Sequence, residues 1–315
     1  MQGNSASLRI TYLMLIATTS FWGSAFVGSK WTVASIPPVT AAFIRFGLGA
    51  VFMFALLMTR ERPARTIPKS AWLSVSLLGL VGIAAYNLFF FWGLNLSRAT
   101  DGSMIIPTMS PVITVLLAAV FFKQKMKKQQ ITGLLLALLG SAVFFWGISL
   151  EGSFDHQRIL GDLFFWMAAL CWAVYTMYGN RVLEKLDPLT VTAYATLSGA
   201  LLLGLLSAPS LTEIQWGNLG VNFWLIQLYL ALLPTVLGNW FYYLGVRNIG
   251  APRASVFMYF VPVSGLLLAA LILDETLTFV QMIGSVLMIA GVWLVNRRNR
   301  PSAPVQKAAH ETGKS

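Results

Sequence analysis

The sequence predicts an all-α membrane protein: ten transmembrane helices forming two inverted five-helix repeats, with both termini cytoplasmic. Three observations predict it. Charged residues are only 10% of the 315 and hydrophobic residues 57%, against about 25% and about 45–50% in a soluble domain, so there is too little charge to cover a soluble core. Apolar runs of about 18–24 residues recur between short polar breaks, long enough to cross a bilayer as helices. A set of uncommon residues is also written twice, about 150 residues apart.

The runs, good to a few residues, are 10–29, 38–59, 71–93, 102–122, 131–149, 160–180, 189–208, 222–246, 253–273 and 278–296. Open sheets leave unpaired backbone groups in lipid, and barrel strands would show ten-residue alternation, so each run reads as a helix. The first run follows Arg9 and looks like a signal peptide. However, Trp22 recurs as Trp172, well inside the sixth run, which argues that the first span is kept. The second run opens on Pro38 and holds Arg45. The third carries Asn87 and the rings Phe89-Phe90-Phe91-Trp92, and the eighth answers with Asn239 and Trp240-Phe241-Tyr242-Tyr243. Pro111 of the fourth run recurs as Pro262 of the ninth. Gly133 and Gly140 of the fifth recur as Gly284 and Gly291 of the tenth. Seven residues are two helical turns, so each glycine pair shares a face where another backbone can approach. Residues 1–150 form the first repeat and 151–296 the second. The remainder, 297–315, is polar and basic and reads as a disordered cytoplasmic tail whose Arg297, Arg298 and Arg300 can touch anionic headgroups.

Lys and Arg set the orientation. With the N-terminus inside, 18 of the 22 basic residues fall on the cytoplasmic side; Lys30, Arg98 and Arg158 fall outside, and Arg45 lies within a span. The acids lean the other way, with Asp101, Glu151, Asp155, Asp162, Glu213, Asp274 and Glu275 outside. The net charge of +11 is therefore a topology signal and not a nucleic-acid footprint. Cys171 is a single cysteine in an apolar run, and His156 and His310 lie in polar connectors. No disulfide, metal, cofactor or catalytic cluster is expected.

Five spans per half carry the chain across the membrane, so the halves must be inverted. Two antiparallel copies that rock against each other are the recurring architecture of secondary transporters. A channel would need a filter motif or charge rings, and an intramembrane enzyme a His pair, an Asp dyad or Ser with a base. Neither set is found within the runs.

The segments Phe21-Trp22-Gly23-Ser24-Ala25-Phe26-Val27, Lys30, Pro38 and Arg45-Phe46, with Gly161-Asp162, Ala251-Pro252-Arg253-Ala254-Ser255, Pro262, Asp274-Glu275 and Gly284 through Gly291, resemble the drug/metabolite transporter superfamily of the EamA type. The resemblance covers about residues 10–296. It departs at Lys123-Gln124-Lys125, which stands where the second half has Asp274-Glu275. It implies a carrier of the inner (plasma) membrane that exports a metabolite or amino acid.

Arg45 is the charge well inside a span. It either clamps a substrate carboxylate or snorkels and braces the fold. Asn87 and Asn239 are symmetric amides that need partners, on a neighbouring helix or on a ligand. Trp22, Tyr86, Tyr175, Trp240, Tyr243 and Tyr259 are the expected walls of a cavity between the halves, lined by spans 1, 3, 4, 6, 8 and 9. Pro107, Pro111, Pro234 and Pro262 are expected to interrupt the fourth, eighth and ninth spans, since each removes an amide donor. Asp162, Asp274 and Glu275 read as anchors or caps at outer ends. The expected function is secondary active efflux, by alternating access, of a small amino-acid-like or aromatic solute. The alternatives are a facilitative uniporter or importer and a drug-efflux carrier. The expected partners are that solute and the lipid bilayer, with the chain a monomer or weak homodimer.

Overall fold

The computed structural model describes residues 5–61, 66–122, 128–149, 155–183, 186–249, 257–258 and 260–296. Among these there is no strand. The helices are α1 (Ser5–Val33), α2 (Pro38–Met58), α3 (Lys69–Leu96), α4 (Ala99–Phe122), α5 (Lys128–Ser149), α6 (His156–Leu183), α7 (Pro188–Leu211), α8 (221–249), α9 (Phe260–Leu273) and α10 (Phe279–Asn296). Seven of them, α1, α2, α3, α5, α6, α7 and α8, are long and apolar enough to cross a membrane; α9 and α10 are shorter apolar helices. The tail 297–315 lies outside the described residues.

The helix starts follow local chemistry. Pro38 and Pro188 occupy the first turns of α2 and α7, where their missing N–H costs nothing. Asp187 caps α7, accepting from the amides of Leu189 and Thr190. Asp274 ends α9 at φ 54, the left-handed conformation that halts a helix and that a short polar side chain tolerates.

Large apolar side chains such as Leu73, Leu271 and Phe279 point outward at 72%, 78% and 72% exposure. Thr18, Ser29, Thr40, Asn87 and Thr196 are buried inside. That distribution suits a hydrocarbon solvent, in which interior polar groups bond one another and the lipid meets only carbon.

The packing has an exchange symmetry. Helices α5 and α10, α2 and α7, and α4 and α9 pair directly across the halves. The contact of α1 with α9 is answered by α6 with α4, that of α1 with α8 by α6 with α3, and that of α2 with α8 by α7 with α3. The tightest seam, α5 against α10, runs through the glycines. A Cβ on Gly284 would lie 2.6 Å from the Phe144 amide nitrogen and 2.7 Å from the Gly140 carbonyl. Backbone cannot yield there, so Gly284→Val is expected to cost about 1–3 kcal/mol of overpacking, read as a lower melting temperature of the purified protein.

Among the described residues, an interruption coincides with an expected proline at Pro234 of α8 alone. α4 runs continuously through Pro107 and Pro111. Within it the hydroxyls of Thr108, Ser110 and Thr114 turn back onto the carbonyls of Met104, Ile106 and Ser110. Pro262 sits in the first turn of α9, where its missing N–H breaks no hydrogen bond within that helix. The matched irregularities are π-helical turns in α3 (Leu80–Ala85) and α8 (Ala231–Leu237), and of the four prolines only Pro234 lies in one.

Candidate functional site: a cavity between the halves

The two π turns face one cavity of about 100 Å³. Trp22, Ala25 and Phe26 of α1, Arg45 and Phe46 of α2, and Gly82, Ile83, Tyr86, Asn87 and Phe90 of α3 line it, with Ile106, Pro107 and Ser110 of α4. The second half adds Trp172 and Tyr175 of α6, Thr192 of α7, Pro234, Thr235 and Asn239 of α8, Met258, and Val261 of α9.

Each π turn is followed by its asparagine, and the two amides do the same work. Asn87 Nδ2 donates to the Ile83 carbonyl at 2.7 Å, and Asn239 Nδ2 donates to the Thr235 carbonyl at 2.7 Å. Both accepting carbonyls belong to residues of the π turns themselves, Ile83 and Thr235. The amide nitrogens are thereby turned toward their own helices. Asn87 Oδ1 is buried with no hydrogen-bond partner among the described residues, which costs about 1–3 kcal/mol in the absence of a ligand or water.

Pro234 frees the carbonyl of Leu230. Thr235 Oγ1 donates to that carbonyl at 2.9 Å, and Trp22 Nε1 donates to the carbonyl of Pro234 itself at 3.0 Å. The Thr235 hydroxyl has spent its proton, so its lone pair accepts from Arg45 Nε at 3.1 Å. Arg45 Nη1 donates to Ser29 Oγ at 3.1 Å, and the guanidinium lies 5.0 Å from the Phe46 ring centroid. Arg45 is 6% exposed, and no carboxylate among the described residues lies within salt-bridge distance of it. A buried cation held only by neutral hydroxyls is costly unless an anion joins it.

The aromatic walls form one connected set. Trp22 meets Trp172 edge-on at 6.1 Å, Trp172 lies 5.5 Å from both Tyr86 and Tyr175, and Tyr86 stacks on Phe90 at 5.9 Å. Gly82 lets the Tyr175 ring lie against the first π turn.

The structure thus brings together Arg45, Asn87, Asn239, Trp22, Tyr86, Tyr175, Pro107 and Pro234. It does not bring in Trp240, which packs on Phe241, nor Pro262, which is buried in α9. The side chains of Tyr243, Tyr259 and Pro111 lie outside the described residues. Sequence reasoning missed Trp172 as a wall, although its repeat mate Trp22 carried the signal. It also missed Thr235, Phe46 beside Arg45 on α2, and Thr192 of α7.

Known proteins resemble this chain along nearly its whole length. The "Uncharacterized transporter YyaM" of Bacillus subtilis is 30% identical over 285 residues, 89% of this chain and 92% of its own. An "Uncharacterized transporter" of Archaeoglobus fulgidus is 27% identical over 292 residues, 91% of this chain and 99% of its own. A "Probable terminal-alkyne amino-acid exporter" of Streptantibioticus cattleyicolor is 30% identical over 296 residues, 90% of this chain and 92% of its own. A solved crystal structure superposes with a TM-score of 0.64 at 19% identity, over 91% of this chain and 96% of its own, a likeness of fold alone. The model of the EamA-like transporter family matches twice, at residues 9–146 and again at 159–297. With the apolar helices and the paired halves, these matches show that the chain is a multi-pass membrane protein and belongs to the EamA-like transporter family.

Proposed function

We propose that the protein is a secondary carrier that exports a small amino-acid-like solute by alternating access. The observation that carries this reading is Arg45, a buried guanidinium that faces the cavity and, among the described residues, hydrogen-bonds to hydroxyls. A guanidinium in a low-dielectric cavity selects an anion, and its planar fork suits a carboxylate. The carboxamide oxygen of Asn87, buried without a partner, offers an acceptor to an ammonium. The aromatic set around Trp172 adds π faces for the cation or an apolar side chain. A cavity of about 100 Å³ is smaller than the roughly 150 Å³ that holds benzene in an engineered core. The cargo is therefore compact, or the walls move to admit it.

In this reading all of α1–α10 cross the membrane, in two inverted halves of five (1–150 and 151–296), with both termini cytoplasmic in the plasma membrane. The exchange symmetry of the packing and the doubled family match support it. So does the basic bias of the connectors. Two π turns at matching places, one in each half, suit helices that flex around a site between repeats. The outward direction draws on the relative named as an amino-acid exporter.

Quenching of tryptophan fluorescence in purified protein tests the chemistry, because Trp22 and Trp172 line the cavity. Amino acids are expected to quench saturably, and the matching amines, which lack a carboxylate, are expected not to. Amines binding as tightly as amino acids would overturn the reading. Asn87→Ala is expected to weaken binding of the amino acid about tenfold, one lost hydrogen bond to a charged group, while leaving the deaminated acid unaffected.

A further inference from the structure

A second polar cluster lies away from the cavity, where α3 meets α4, and two of its members are carboxylates at 0% exposure, Asp101 and Asp162. Asp101 is bound by Arg158 through Nε–Oδ2 at 2.7 Å and Nη2–Oδ1 at 3.1 Å, the two-pronged geometry of an ionised carboxylate. Asp162 has no such partner. Its Oδ1 lies 2.5 Å from Ser97 Oγ, and its Oδ2 is buried with no hydrogen-bond partner among the described residues. Ser97 Oγ also lies 3.2 Å from Asp101 Oδ2.

A hydroxyl has one hydrogen and cannot donate to both carboxylates. If Ser97 donates to Asp101, the short contact with Asp162 closes only when Asp162 carries a proton and donates it to Ser97 Oγ. If Ser97 instead donates to an ionised Asp162, lone pairs oppose each other at Asp101, and a buried anion is left with one neutral donor. The first arrangement satisfies every contact and buries only a neutral carbonyl oxygen.

Among the described residues, several other charged groups at this end are already engaged. Lys30 of α1 donates to the carbonyls of Leu94 and Ser97, capping the end of α3. Glu275, in the connector between α9 and α10, accepts from the amides of Ala99 and Thr100 at the start of α4. Arg98 stands nearby on the α3–α4 connector with contacts of its own. At the start of α6, Asp155 takes the amides of Gln157 and Arg158, and His156 is exposed. Gly161 lets Ser97 approach: a Cβ there would lie 2.6 Å from Ser97 Cβ.

We propose that Asp162 is a proton-binding site that latches this end of the bundle. With the proton bound, Asp162, Ser97 and Asp101 tie α6 to the α3–α4 junction. With the proton lost, two carboxylates face one hydroxyl and one guanidinium, and α6 is released. The middles of α3, α4 and α6 line the cavity, so the latch governs access to it from this end.

No solute is needed for the test, so its outcome stands apart from the transport reading. Infrared spectra of the full chain in lipid at neutral pH are expected to show a carboxylic-acid C=O band that is absent in Asp162→Asn. Ser97→Ala, which keeps the acid and removes its partner, is expected to shift that band to higher frequency, and it serves if the first variant does not fold. Hydrogen exchange, corrected for intrinsic rates, is expected to quicken about tenfold in 94–101 and 156–162 from neutral to alkaline pH, and to stay flat in Asp162→Asn. A neutral-pH spectrum whose acid bands are unchanged by either variant would overturn the proposal. So would an exchange response to pH that persists in Asp162→Asn.

Discussion

Arg45→Ala is expected to lower solute exchange in proteoliposomes by at least about 30-fold, with folded protein still recovered. The estimate follows from removing one partner of a desolvated charge pair, about 2–5 kcal/mol. Arg45→Lys is expected to fall nearly as far, because an ammonium is a point charge that cannot reproduce the fork. The hydroxyls of Thr235 and Ser29 that position Arg45 are neutral and can re-pair with backbone, so the truncated protein retains its packing. The check is initial exchange rate per folded protein, with folding verified by size-exclusion profile and circular dichroism. Full exchange in a folded Arg45→Ala variant would assign Arg45 to bracing α2 against α1 and α8, and would remove the anion site.

The second large effect is on stability. Asp101→Ala is expected to cost about 3–5 kcal/mol, the penalty for breaking a buried ion pair from one side. It takes from Arg158, 4% exposed, the carboxylate that holds it by two bonds, and it leaves Thr100 and Ser97 without the acceptor between them. A fall of many degrees in melting temperature in detergent checks it. A doubly substituted Asp101→Ala, Arg158→Met protein is expected to recover much of the loss, since no uncompensated charge then remains buried. A melting point unchanged by Asp101→Ala would mean that the Arg158 pair contributes nothing to the fold.

Much of this arrangement was legible in the sequence, because membrane helices and internal repeats leave strong marks. The asparagine pair was visible as Asn87 and Asn239, and the structure gives both the same hydrogen bond to their own helices. The glycines of α5 and α10 were visible as a close-packed seam, and their backbones do meet. The π turn in α3 was hidden, since Leu80–Ala85 holds no proline to announce it. Conversely, Pro107 and Pro111 drew attention to α4, where the helix stays continuous.

Burial at the span ends was equally hidden. Asp162 and Glu275 read as anchors or caps by position alone. Glu275 does cap α4, but Asp162 is enclosed by Ser97, Asp101 and the close approach at Gly161. Those contacts join residues about 60 apart in the chain, a distance that hydropathy does not read. Thr235 escaped notice for a related reason, since its role depends on the carbonyl that Pro234 frees and on an arginine from the other half.

The central claim is that this cavity carries an amino-acid-like solute across the membrane. Counterflow in proteoliposomes tests it most directly, with the full chain, a panel of labelled amino acids, and Arg45→Ala as the control. The account predicts saturable accumulation of one or a few compact amino acids by the wild-type protein and none by the variant. A folded wild-type protein that exchanges no amino acid across the panel would contradict it.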